Sequence, residues 1–191
     1  MRDYSIQRPV LVVVTGVQGT GKSTVAAAAG EVLHSPVLGH DWAMSGLRPY
    51  ESLEQSLEMM GPGARRAVGW SLLCALARSQ LRHNRSVVLE GVAGEVKLTN
   101  CRHVANEEGS SMALIVTRCD DLTVLRSRIE VRRRSIPNWY ELTWDHVQTT
   151  LAAWEQPNEP DLVVETGRPW EESKSILFEF LNRIRNGPSP K

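Results

Sequence analysis

Five short, almost wholly apolar runs are spaced along the chain, and longer stretches with apolar residues every three or four positions separate them. The runs cover residues 9–15, 36–41, 86–90, 112–117 and 161–166, and they are rich in Val, Leu and Ile. A run this short with no polar alternation fits a strand buried on both faces. Helical spacing is predicted for a helix after residue 21 and for one at 64–83, where Val68, Leu72 and Leu76 form a stripe beside Leu73, Ala77 and Leu81. Further helices are predicted near 98–108, from Asp120-Asp121 through Arg134 with Pro137 as the stop, over 140–154, and from Pro169 onward. Tyr140, Trp144, Val147, Leu151 and Trp154 fall on one side of the 140–154 helix and read as core. Strands alternating with helices predict an α/β fold, a five-stranded parallel sheet with helices on both faces. Residues 42–63 break the pattern with Gly46, Pro49, Gly61, Pro62 and Gly63 around a short helix at 50–60, and read as a substrate-facing insertion.

Between the first strand and the first helix stand Gly16, Val17, Gln18, Gly19, Thr20, Gly21, Lys22, Ser23 and Thr24, which fit G-x-x-x-x-G-K-[ST] at every fixed position. Triphosphate oxygens need several N–H donors converging on one point, so the backbone must curl tightly, and glycines permit that. The helix that follows directs free N–H groups at the phosphates. Lys22 supplies a cation for the β and γ phosphates, and Ser23 offers a hydroxyl to Mg²⁺. ATP and Mg²⁺ are the expected cofactors.

Ligands of parallel sheets bind at the strands' carboxyl ends, which brings the loop, Asp41, Glu90 and the residues after Thr117 and Thr166 around one crevice. Asp41, just past the second strand, is the candidate base, and Trp42 adjoins it. Glu90 ends the third strand, where an acid serves Mg²⁺ or its water. Arg126, Arg128, Arg132, Arg133 and Arg134 form the densest charge run, read as a lid over the triphosphate or as a surface for nucleic-acid phosphates.

These features together resemble the phosphate-loop kinases related to polynucleotide kinase, gluconate kinase and the zeta toxins, whose domain is an AAA-type ATP-binding domain of small kinases. The resemblance spans most of residues 9–185. Its supporting residues are Asp41 after the first helix, Arg102 on the helix after the third strand, Leu125-Arg126-Ser127-Arg128-Ile129-Glu130-Val131-Arg132 as a lid helix, the Glu155-Gln156-Pro157 step, and Glu165-Thr166. It implies a three-layer P-loop NTPase fold like that of nucleoside-monophosphate kinases. In that fold a helical lid takes up about 120–140 and a single domain spans 1–187, followed by a disordered tail at 188–191. It further implies that Lys22, Asp41, Arg128 and Arg132 act in catalysis and that Arg126 and Arg168 contact the nucleotide, Arg168 beside the adenine. Asp41, Trp42, Glu90 and Arg102 would serve the acceptor. Two positions depart from the pattern: Glu90 stands where Asp is common, and Gln148 where Arg is frequent.

The remaining numbers narrow the partners. Lys+Arg and Asp+Glu both total 22, so no overall field draws the chain to nucleic acid or to an anionic membrane. The three cysteines show no C-x-x-C spacing and suit a reducing cytoplasm, and residues 1–8 lack the apolar core of a signal peptide. A cytoplasmic kinase acting on a hydroxyl of a sugar, nucleoside, antibiotic or other small metabolite is expected. A polynucleotide 5′-hydroxyl kinase and a nucleotide sensor without acceptor chemistry are the alternatives. No stretch of sequence indicates the oligomeric state.

Overall fold

At the centre of the molecule is β1 (Val10–Thr15), whose six residues are all buried. Only a strand paired on both edges and covered on both faces permits that. In this computed structural model, which describes residues 8–186, β1 pairs in parallel with β3 (Val87–Glu90) and β4 (Ser111–Arg118). The outer strands are β2 (Val37–Gly39) and β5 (Leu162–Glu165), giving the order β2-β3-β1-β4-β5 with every pairing parallel. The polar residues 1–7 and the expected tail at 188–191 lie outside the described residues.

Alternation along β1 divides the core in two. Leu11 and Val13 face one side and pack with Leu73, Leu89 and Leu98, beneath α4 (Ala64–Arg82) and α5 (Glu95–Glu107). Val12 and Val14 face the other, with Val25, Ala29, Leu177 and Leu181, beneath α1 (Lys22–Leu33) and α8 (Trp170–Asn186). Each such buried Val or Leu contributes about 1.5–3 kcal/mol. The chain is therefore a three-layer α/β fold, a five-stranded parallel sheet with helices on both faces. Among the described residues no helix is long and apolar enough to cross a membrane.

Two small satellite cores flank the sheet's carboxyl edge. One joins α6 (Leu122–Val131) and α7 (Trp144–Ala153) through Leu125, Ile129 and Val147, with Val17 of the loop beneath them. The other joins α2 (His40–Ser45) and α3 (Glu51–Met59) to α4 through Met44, Leu57 and Ala64. Trp139, from the segment between α6 and α7, packs onto this second core, so that segment crosses from one satellite to the other.

Three element boundaries differ from the sequence reading. The strand expected over 36–41 stops at Gly39, and Asp41 sits in the first turn of α2, which at six residues is too short to show a period. The helix expected to run through Arg134 stops at Val131, because the Arg134 and Ser135 N–H groups donate to the Glu141 carboxylate instead of to helical carbonyls. The helix expected at 140–154 starts at Trp144, after Thr143 caps the His146 N–H at 3.4 Å. Tyr140 is consequently not a core residue of that helix; it is half exposed and stacks on Trp139 at 5.0 Å.

Candidate active site

The phosphate loop is shaped by contacts that tolerate no side chain at its glycines. Gly16 has φ +146°, and a Cβ there would lie 2.3 Å from the Thr117 carbonyl oxygen. Gly19 has φ +84°, and its Cβ would meet Leu125 and Ile129 of α6 at 2.8 and 2.9 Å. Thr20 holds the curl, its hydroxyl 2.7 Å from both the Val17 carbonyl and the Thr117 hydroxyl. Lys22 is buried, and its Nζ donates to the Val17 carbonyl at 2.9 Å. Burial pushes its pKa down, against the opposing pull of Glu90 and Asp41. A glycine loop at a helix N-terminus, with a cation that among the described residues bonds only a backbone carbonyl, fits the phosphates of a nucleoside triphosphate.

Across from the loop, Asp41 holds its two oxygens in two different bonds. His40 Nδ1 donates to Oδ1 at 3.2 Å, and Arg134 Nη1 donates to Oδ2. Burial alone would raise the Asp41 pKa, but the His40 hydrogen bond and the charges of Arg134, His40 and Lys22 outweigh it and hold the carboxyl below its usual range. The Arg134 side chain is 7% exposed, and its Nη2 donates to the Tyr140 carbonyl. His40 is wedged between two glycines, since a Cβ on Gly69 would lie 2.3 Å from its Nε2 and one on Gly91 2.8 Å from its Cβ. Those two glycines set the depth at which the pair sits.

Glu90 completes the charge arrangement. Burial raises its pKa, Lys22 lowers it, and the neighbouring Asp41 raises it further. Ser23 is exposed, and its hydroxyl accepts from Arg132 Nη2 at 3.3 Å. Among the described residues no cluster of three His, Cys, Asp or Glu side chains could cage a metal.

These groups share a cleft of about 680 Å³ at the carboxyl edge of the sheet. It holds Lys22, Ser23, Asp41 and Glu90, with Trp42 and Gln18 on its walls. A second hollow, of about 420 Å³, adjoins the loop and is lined by Gly21, Thr24, Arg128, Thr166, Arg168 and Trp170. Arg132 borders both hollows. Arg128 is turned onto Thr166, donating to its hydroxyl at 3.2 Å and to its carbonyl at 2.6 Å.

Two expected site residues lie elsewhere. Arg126 bonds Glu130 at 2.7 Å and lies over the Trp144 ring, because on α6 it faces α7 and solvent instead of the loop. Arg102 bonds Glu95 at 3.2 Å and borders a separate hollow with Asn106 and Asp161, and no residue of its helix lines the cleft. Conversely, His40 and Tyr140 line the cleft although neither was read as a site residue, and Arg134, read as part of the lid run, bonds Asp41. His40-Asp41 after Gly39 and the triple arginine at 132–134 were the only signals for them.

The AAA domain family model matches residues 11–157. Among solved structures, a sugar kinase from Janibacter sp. HTCC2649 superposes with a TM-score of 0.66 at 16% identity, over 91% of this chain and 95% of that one. A gluconokinase from Sinorhizobium meliloti 1021 gives 0.65 at 22%, over 94% and 95%. The APS kinase of Mycobacterium tuberculosis, solved with AMPPNP and APS, gives 0.61 at 20%, over 92% and 98%. No curated protein matches the sequence.

Proposed function

The chain belongs to the AAA domain family, and from that premise we propose that it is an ATP- and Mg²⁺-dependent kinase that phosphorylates a hydroxyl of a small molecule. The observation that carries the reading is the shared cleft: a phosphate loop with a buried Lys22 on one wall and an ionised Asp41 on the other, close enough that each shifts the other's pKa. A sugar kinase and a gluconokinase share the fold and are consistent with it.

In this reading the loop amides and Lys22 hold the β and γ phosphates, and the acceptor hydroxyl lies against Asp41. The hydroxyl oxygen forms the new bond to the γ-phosphorus, the bond from that phosphorus to the β–γ bridging oxygen breaks, and ADP leaves with the electron pair. The hydroxyl proton passes to Asp41 and on to solvent. Mg²⁺, when bound, offsets charge on the β and γ oxygens, and Ser23 and Glu90 are the residues to hold it or its water. Arg132, already beside Ser23, is placed to meet charge on the transferring group. Arg168 and Thr166 line the hollow on the other side of the loop, which would take the base.

The test is transfer of label from ATP to a broad panel of hydroxylated small molecules, with K22A as control. Label on small acceptors that is lost in K22A is expected. Label on 5′-hydroxyl oligonucleotides alone would overturn the small-molecule reading, and tight ATP binding with no transfer at all would make the protein a sensor.

A further inference from the structure

The acceptor end of the cleft is closed by the turn Gly61-Pro62-Gly63 and the first turn of α4. Two successive arginines stand there, and they are used differently. Arg65 is committed within the protein: its Nη2 donates to Glu54 at 2.8 Å and to Glu58 at 3.0 Å, and Arg48 shares Glu54, which ties α3 to α4. Arg66 has no hydrogen bond or ion pair among the described residues, yet it lines the cleft.

Helical spacing fixes the direction it faces. Gly69 and Trp70, three and four residues on, share its side of α4. Gly69 is pressed against His40, and Trp70 lies against Gly91 and within 6.4 Å of the His40 ring. Arg66 is therefore one turn above the floor on which the His40–Asp41 pair rests. Side chains of a helix lean toward its N-terminus, which carries the guanidinium out over the mouth of the acceptor end.

Every other cation bordering the cleft already has a partner in the protein. Lys22 is on the loop carbonyl, Arg132 on Ser23, Arg134 on Asp41 and Arg65 on Glu54. Nothing local calls for a cation at Arg66, since the start of a helix disfavours positive charge. A guanidinium at the mouth of a ligand cleft, with both edges of its fork free, matches the planar oxygens of a carboxylate or the face of a phosphate or sulfate. Trp139 and Tyr140 line the same cleft, offering aromatic surface to a carbon skeleton.

We infer that the acceptor is an anionic hydroxy compound, a carboxylate or a phosphate or sulfate ester, whose charged group is anchored by Arg66 while its hydroxyl meets Asp41. This rests on the kinase reading and names the acceptor class for the same site. The test offers labelled ATP with hydroxy acids and hydroxylated phosphate esters, each beside its uncharged amide or parent alcohol. Transfer should favour the charged member of a pair by about tenfold or more, what one lost charge-assisted contact is worth. Which set is used separates carboxylate from ester. R66A should raise KM for the charged acceptor by about the same factor with a smaller change in kcat and none in KM for ATP, and R66K should recover part of the loss. Equal use of neutral members, or an unchanged acceptor KM in R66A, overturns the anchor and leaves the kinase standing. No transfer to any member overturns both.

Discussion

Asp41 faces opposing demands. A carboxylate held by Arg134 and His40 is a weak base, because both partners stabilise its ionised form. In the proposed reaction its contribution would be to orient the hydroxyl in line with the γ-phosphate as much as to take the proton. D41N keeps the shape and loses the charge, so transfer should fall by roughly two to four orders of magnitude while ATP affinity, measured by titration calorimetry, stays near that of the wild type. Near-normal transfer would reduce Asp41 to a residue of the α2 first turn. Glu90 behaves in the opposite way. Its folded pKa lies above the unfolded value, mainly through burial, so folding takes up a proton in the window between them. The stability this confers is full below the unfolded pKa and is lost as pH rises through the folded one. E90Q should therefore melt higher than the wild type at neutral and alkaline pH, and the advantage should vanish in acid. The same variant should lose activity, since Mg²⁺ would lose a supporting carboxylate. Calorimetric scans across pH check the first expectation, and assays at varied Mg²⁺ the second.

The lid and the phosphate loop are in direct apolar contact, and their responses to mutation should be joined. Leu125 and Ile129 of α6 fill the space where a Gly19 side chain would be. G19A adds one methyl at positive φ and pushes α6 away, a change that overpacking makes worth about 1–3 kcal/mol. ATP affinity should fall by about 5- to 150-fold although no polar group has changed, as titration would show. The elements themselves were largely legible in the sequence. The five buried runs and the glycine loop have short-range causes, burial on both faces and curvature, so residue order alone displays them. The acceptor side was not legible in the same way. α2 is shorter than two helical turns, and the end of α6 is decided by Glu141, whose carboxylate takes N–H groups that a helix would otherwise use. The position of Arg134 depends on Asp41, 93 residues away, and a contact at that separation leaves no local pattern. Arg102 and Arg126 were misplaced for the same reason: their spacing was correct for a helix, and nothing in it showed which face met the cleft.

At the scale of the whole molecule, the segment between α6 and α7 is the bridge between the nucleotide side and the acceptor side. Its root is fixed, since Arg128 grips Thr166 and the Thr166 hydroxyl also lies 3.1 Å from the Thr20 carbonyl in the phosphate loop. Farther along, Arg134 bonds Asp41 and Trp139 packs onto the core joining α2, α3 and α4. Arg134 holds the Asp41 carboxylate, and in the proposed kinase a triphosphate in the loop would compete for that arginine. For the proposed kinase, that contact predicts an order of events. Nucleotide should enter first and draw Arg134 toward its phosphates, the acceptor should enter second onto a released Asp41, and the phosphorylated product should depart before ADP. Product-inhibition kinetics should show ADP competitive with ATP and noncompetitive with the acceptor. An acceptor that binds the nucleotide-free protein as tightly as the nucleotide complex would show that the Arg134 contact keeps no such sequence.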